Sequence, residues 1–252
     1  MIKAVAMTAF ERPDVLKRTL DALSANDREG WSIYVSVDPG DRKVIQVLKD
    51  GLKPGPSDPW RRRHPPAVAL NQSVLGPNEN PKRAMQMAFA DGADLVLYIQ
   101  DDTLLSPDAL DLVAWYGESG NWLGHMALCL LNYESDPSRG EEILVSKGEG
   151  ARIARGFASP FYSLAFACTR EQFERFFLPR WDDDPRGFDW ALSGWLDGRF
   201  LPQQTFLTPA YSRCQHIGVE GTYTTRWYWE WIFRQHRWNQ DKRFGAFRVV
   251  ES

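Results

Sequence analysis

A chain of 252 residues with 43% apolar side chains can bury one large core, or one core with a C-terminal appendage. Its formal net charge of -3 excludes a uniformly basic nucleic-acid binder, although local basic patches are compatible with it. No apolar run approaches the roughly 20 residues that span a bilayer.

The N-terminal MIKAVAMTAF lacks the length and cleavage pattern of a signal peptide, so a cytoplasmic protein is the expectation. Cys129, Cys168 and Cys214 are widely spaced, form no CxxC pair and read as buried thiols of a reducing compartment.

Ile2 to Thr8 reads as a strand, and Val15, Leu16, Thr19, Leu20 and Leu23 repeat at helical spacing after Pro13. Ser32 to Val37 is β-branched and aromatic and stops at the turn-forming Asp38-Pro39-Gly40-Asp41. Asp41 to Leu52 is helical in pattern, and Pro54 to Pro66 then form a stiff loop carrying Arg61-Arg62-Arg63-His64. Val68 to Leu70 is a candidate short strand. Pro81 to Gly92 carries a helix-start signal, with Asn80 as N-cap and Pro81 at the first helical position.

Asp94 to Ile99 is a continuous apolar strand that runs into Gln100-Asp101-Asp102-Thr103, and Ser106-Pro107-Asp108 opens a helix over Ala109 to Tyr116. Strands alternating with helices in this way predict an α/β fold whose mostly parallel sheet is covered on both faces. Further on, Met126 to Leu131 and Phe161 to Ala167 read as strands, and Arg170 to Phe177 and Arg186 to Leu196 as helices. The last expected element is a helix over about Arg226 to Trp238, capped by Thr224 or Thr225.

Ligands of open parallel sheets sit beyond the carboxyl ends of the strands, which here are Thr8 to Arg12, Asp38 and Asp101-Asp102. No glycine-rich phosphate fingerprint follows the first strand. If a nucleotide binds, carboxylates and a metal must help to hold it. Paired carboxylates at a strand end suit Mn2+ or Mg2+, which share hard oxygen ligands between protein and phosphates. Neighbouring strand residues point to opposite sides, so one aspartate faces the metal and the other orients ribose or sugar. Standing alone, the dipeptide reads sooner as a solvated turn.

The order VAMTAFERP, a strand ending at Asp38, Asn78-Glu79-Asn80 and then LVLYIQDDTLLSPDAL resembles nucleotide-sugar glycosyltransferases of the GT-A fold, family 2-like enzymes among them. Arg180-Trp181-Asp182-Asp183-Asp184 through Phe188-Asp189-Trp190, followed by Tyr211-Ser212-Arg213-Cys214-Gln215-His216-Ile217-Gly218, is similar to the alpha-1,3-mannosyl-glycoprotein beta-1,2-N-acetylglucosaminyltransferase family.

The resemblance implies a GT-A domain over residues 1–220, with a nucleotide-binding half to about 120 and an acceptor half beyond it. Residues 221–252 are then an aromatic and basic helix packed on that domain. It also implies a divalent metal and a nucleoside-diphosphate sugar donor, UDP-sugar favoured. The donor site would draw on Thr8, Phe10, Arg12, Asp38, Asn78, Lys82, Asp101 and Arg213, with Arg226 as the alternative to Arg213 at the diphosphate. Asp102 and His216 would hold the metal and Asp189 would be the catalytic base, with Asp182, Asp183 and Asp184 as rivals. Two departures stand out: Phe188 replaces an aspartate of the family's Trp-Asp-Asp-Trp segment, and Gln100 replaces the first acidic residue. Direct metal contact therefore falls to Asp102.

An inverting transfer needs a base for the acceptor hydroxyl and charge compensation for the leaving diphosphate. For the acceptor, Arg61-Arg62-Arg63-His64 and the arginines interleaved with tryptophans over 222–248 suggest a polyanion, such as a hydroxymethylated pyrimidine of phage DNA. A glycan or small-molecule acceptor is the alternative. A non-catalytic carbohydrate- or nucleotide-binding module and a metal-dependent nucleotidyltransferase are the rival classes.

Overall fold

A computed structural model describes residues 1–53, 65–118, 120, 122–132, 135–147, 161, 163–185, 187–194, 205–219, 226, 227, 230, 243, 244 and 247–251. Arg61-Arg62-Arg63-His64 and most of the expected C-terminal helix lie outside them.

The first half alternates as the sequence predicts. Strand β1 (Lys3–Ala9) leads to α1 (Pro13–Ser24), β2 (Trp31–Val37), α2 (Arg42–Gly51) and β3 (Ala67–Leu70). Helix α3 (Gly76–Ala90), β4 (Leu95–Ile99), the short β5 (Thr103–Leu105) and α4 (Ala109–Glu118) complete it. Each boundary has a local cause. Pro13 opens α1, Asp41 caps α2 by accepting the Lys43 N–H at 2.8 Å, and Ser106 bonds Asp108 ahead of α4 at 2.7 Å.

Helix α3 departs from expectation, beginning at Gly76 with Pro81 inside it rather than at Pro81 with Asn80 as cap. Its cap is not local. Asp38, beyond β2, accepts the backbone N–H of Leu75 (3.0 Å) and Gly76 (2.8 Å) and so supplies the anion that a helix N-terminus favours. Asn80 is buried instead, accepting a hydrogen bond from Asn71.

The second half holds β6 (His125–Cys129), β7 (Glu142–Lys147) and β8 (Ala165–Thr169). A composite helix, α5, follows: Arg170–Gln172 under a Thr169–Gln172 capping box, a π-helical turn Phe173–Phe177 and a tight turn Leu178–Arg180. Then come α6 (Phe188–Gly194), β9 (Thr205–Pro209), β10 (Cys214–His216) and β11 (Arg248–Glu251). Of these, β7, β9, β10 and β11 were not anticipated.

Nine of these strands form one mixed sheet in the order β11-β7-β9-β6-β8-β4-β1-β2-β3, most neighbours running parallel, while β5 and β10 pair antiparallel as a separate ribbon. Strand β4 is buried along its whole length between β1 and β8, which is why it reads as an unbroken apolar run. One face packs Val5, Met7 and Leu97 against α1, α2 and α4. The other packs Ala4, Ala6, Val96 and Tyr98 against α3 and a ring cluster that includes Phe166, Phe177 and Trp181. The three cysteines are free and buried.

The chain's C-terminal strand β11 pairs with β7, so residues beyond 220 contribute to the same sheet.

Candidate active site

Chain progression reverses between β1 and β4, because β2 and β3 extend the sheet on one side of β1 and β4 lies on the other. Crevices at such switch points open at the strands' carboxyl ends. There the turn after β1 and Asp101-Asp102 after β4 meet. Asp101 accepts the Phe10 backbone N–H at 3.1 Å and the Arg12 guanidinium at 2.9 Å, and its carbonyl takes the Thr19 hydroxyl at 2.8 Å. The same Arg12 Nη2 lies 2.9 Å from Asp102 Oδ2. Arg12 thus bridges the pair.

Asp102 also reaches the β5–β10 ribbon. That antiparallel pairing sets His216 across from Thr103, and His216 Nε2 comes to 3.0 Å from Asp102 Oδ2. The Ile217 N–H donates to the Asp102 carbonyl at 2.8 Å. Asp102 and His216 are 114 positions apart in sequence, and both are buried.

The two carboxylates have been driven apart electrostatically. Burial, and then the adjacent Asp102 charge, push Asp101 up to about 6, against the pull of Arg12. Burial would also raise Asp102, but the His216 imidazole and Arg12 outweigh it and hold Asp102 below the usual carboxylate range. Asp102 is therefore the member of the pair held as the anion.

That chemistry fits a divalent cation in part. Among the described residues no group donates to the buried Asp102 Oδ1, and no cluster of three or more His, Cys, Asp or Glu side chains forms. Two cis ligands of an octahedral ion with bonds of about 2.1 Å stand about 3 Å apart, which is the spacing seen between Asp102 Oδ2 and His216 Nε2. Asp102 and His216 would hold such an ion, leaving the remaining positions to phosphate oxygens and water.

The other expected residues fall into three groups. Thr8 and Phe10 line the β1 end, Thr8 with its hydroxyl 3.2 Å from that of Tyr98. Burial pushes the Tyr98 hydroxyl far up, and the charges of Asp101, Asp102 and Asp189 add to the shift. Asp189 lies in the first turn of α6 and accepts the Trp190 N–H at 3.0 Å.

Asn78 and Lys82, expected at the donor, join α3 to the segment that carries Asp189. The Asn78 carbonyl accepts from the Trp181 indole and its Oδ1 from the Phe188 N–H, each at 3.0 Å, and Lys82 pairs with Asp182 at 2.7 Å. Trp181 and Phe188 stack at 4.2 Å, which secures the same segment from below. Asp38 is buried and accepts from Asn71, Leu75 and Gly76.

Arg213, expected at the diphosphate, is not brought to the crevice. It is fully buried, with Nε 3.0 Å from Asp108, further bonds to the carbonyls of Tyr211 and Gly140, and the Phe244 ring 4.5 Å away. Arg226 is exposed and pairs with Glu230. Arg12 is the cation at the strand ends.

Gly218 was not singled out. A Cβ there would lie 2.2 Å from Asp102 Oδ2 and 2.9 Å from Arg12 Nη1, so the chain after His216 passes the carboxylate too closely for any side chain. Thr19 and Tyr98 also escaped notice, since each looks like an ordinary core position of a helix or strand. The His216-Ile217-Gly218 sequence was the available signal for the close approach.

The sequence matches no family profile and no curated protein. Solved structures do match. The mannosyltransferase PcManGT from Pyrobaculum calidifontis, in complex with GDP-Man and Mn2+, aligns with a TM-score of 0.58 at 15% identity over 90% of this chain and 59% of that one. S. aureus TarS 1-349 aligns with a TM-score of 0.58 at 12% identity over 87% and 61% of the two chains. Its UDP complex aligns at 0.55 and 14% over 83% and 58%. The chain spans about three-fifths of the length of these structures. At such identities the likeness is one of fold: the chain has the α/β architecture of GT-A glycosyltransferase structures.

Proposed function

We propose that the chain transfers a sugar, with inversion, from a nucleoside-diphosphate sugar to an acceptor hydroxyl, using a divalent cation held by Asp102 and His216. The observation that carries this reading is the buried Asp102–His216 contact at the topological switch point, with Asp102 Oδ1 lacking a donor among the described residues. The fold neighbours add support, one being a complex with GDP-Man and Mn2+ and another with UDP.

The bound cation would supply charge compensation for the departing diphosphate. Arg12 stands beside it to bind phosphate oxygens through its planar fork. Asp189 takes the proton of the attacking hydroxyl, and its segment is held against α3 by Asn78 and Lys82. Thr8, Phe10 and Asp38 frame the nucleoside side of the crevice at the ends of β1 and β2. UDP is the favoured nucleotide, with Mn2+ or Mg2+ as the ion.

For the acceptor, the two basic clusters of the sequence support a polyanion, and hydroxymethylpyrimidine DNA is the specific reading. Incubation with that DNA, UDP-sugars and Mn2+ should add the mass of a sugar to the modified nucleoside. Absence of that gain, alongside transfer to a free glycan, would move the acceptor to the glycan class.

The activity itself is tested by nucleoside-diphosphate release from UDP- and GDP-sugars. Release should require Mn2+, disappear in Asp102→Ala and fall roughly 10²–10⁴-fold in Asp189→Asn. Equal rates in wild type and both variants would instead indicate a binding module. Pyrophosphate released from a nucleoside triphosphate would indicate a nucleotidyltransferase.

A further inference from the structure

Asp102 Oδ2 serves two partners at once: Arg12 Nη2 at 2.9 Å and His216 Nε2 at 3.0 Å. A cation seated between Asp102 Oδ2 and His216 Nε2 would share the oxygen that the guanidinium occupies, even with Oδ1 open beside it. Two positive groups on one carboxylate oxygen repel strongly in a buried setting. Arg12 has somewhere to go, since its side chain is about one-third exposed, at 32%, whereas Asp102 is not free to follow. Gly218 runs alongside: a Cβ added there would stand 2.9 Å from Arg12 Nη1, so only a residue without a side chain leaves the guanidinium its room. Asp101 Oδ1, 2.9 Å from the same Nη2, keeps it at the crevice. Asp101 is itself pinned by the Phe10 N–H.

We propose that Arg12 is a displaceable counter-ion. It neutralises Asp102 in the resting protein, yields Oδ2 to a divalent cation, and then turns its freed N–H groups onto the phosphate oxygens of the sugar nucleotide while Asp101 retains it. The inference rests on the reading of Asp102 and His216 as the cation's ligands. It adds a coupling: the ion alone binds weakly because it must displace Arg12, and it binds tightly with a nucleoside diphosphate because the diphosphate gives Arg12 a new partner. Cation and nucleotide then each raise the other's affinity by the same factor.

Mn2+ titration followed by the paramagnetic resonance of the free ion tests this without any turnover. Wild type, Arg12→Gln and Arg12→Lys are compared in the absence of nucleotide and then with saturating UDP, each checked for fold by circular dichroism. Arg12→Gln should bind Mn2+ alone about tenfold more tightly than wild type, and UDP should improve its Mn2+ affinity much less. Arg12→Lys, which keeps the charge but loses the planar guanidinium fork, should fall between them. Adding His216→Ala to either background should abolish the tight binding.

Mn2+ affinity in Arg12→Gln or Arg12→Lys equal to or below that of wild type would overturn the proposal. Binding by Arg12→Gln where wild type shows none would support it in its strongest form. Failure of wild type and both variants to bind Mn2+, with UDP or without, would remove the metal-ligand reading and the counter-ion role with it.

Discussion

Replacing Gly218 by alanine is the smallest perturbation that reaches the crevice. The added Cβ would stand 2.2 Å from Asp102 Oδ2 and 2.9 Å from its Cγ, where real contacts stay beyond 3.0 Å. Something must therefore move by roughly 1 Å. Asp102 resists, because Arg12 and His216 hold its carboxylate and the Ile217 N–H holds its carbonyl. Overpacking of this kind costs about 1–3 kcal/mol. Displacing a ligand by that distance lowers metal affinity roughly 10–100-fold, as loss of a supporting contact does. Urea unfolding of Gly218→Ala and wild type in EDTA reads the first effect, and Mn2+ binding reads the second. An unchanged unfolding midpoint together with unchanged Mn2+ affinity would refute the close approach on which the site geometry rests.

Three further outcomes follow from particular contacts. Asp101 is pushed up to about 6 in the folded protein, against about 3.9 for an unfolded aspartate, so the native state retains a proton that the unfolded chain releases. Its stabilising contribution is full below about pH 4 and is lost as pH rises through 6, by about 3 kcal/mol in all. In EDTA, wild type should thus lose stability relative to Asp101→Asn between those values, and a flat or opposite difference curve would contradict the assignment. Asn78→Asp keeps an acceptor for the Phe188 N–H and should retain turnover, while Asn78→Ala loses that bond and should lower kcat with little change in donor KM. Equal kcat in the two variants would count against Asn78 as a positioning residue for Asp189. Arg213→Met removes the buried guanidinium that pairs with Asp108 and should cost about 3–5 kcal/mol in chemical denaturation. A loss below 1 kcal/mol would show that the pair is not a structural anchor.

The elements that the sequence announced are those whose causes are local. β1, α1, β2, α2 and β4 carry their own periodicity, caps and apolar runs, so their places along the chain were legible. Helix α3 was misread at its start because its capping anion is Asp38, more than thirty residues earlier, and no local rule points there. β7, β9 and β11 are short and mix polar with apolar residues. They exist because neighbours on the sheet supply their hydrogen bonds.

The site shows the same division. Strand-end aspartates are visible in sequence, and the order of motifs pointed to both Asp102 and His216, which the structure brings together through the β5–β10 ribbon. Which arginine stands at the carboxylates was not legible. Arg213 sits three residues before a metal-ligand candidate but turns into the core to meet Asp108, while Arg12 reaches both aspartates across the crevice. Side-chain direction at the end of a three-residue strand depends on its partner strand, and sequence spacing does not carry it. Gly218 was invisible for a related reason, since a glycine demanded by close approach looks like any loop glycine until its neighbour is known.

The most direct measurement is the melting temperature of wild type and Asp102→Asn with UDP, each with Mn2+ and with EDTA, since a ligand that binds only the folded state raises its melting point. Wild type should be stabilised by UDP and Mn2+ together well beyond either alone, and Asp102→Asn should show no such synergy. A UDP shift of equal size with Mn2+ and with EDTA, or one undiminished in Asp102→Asn, would contradict a metal-held sugar nucleotide at this crevice.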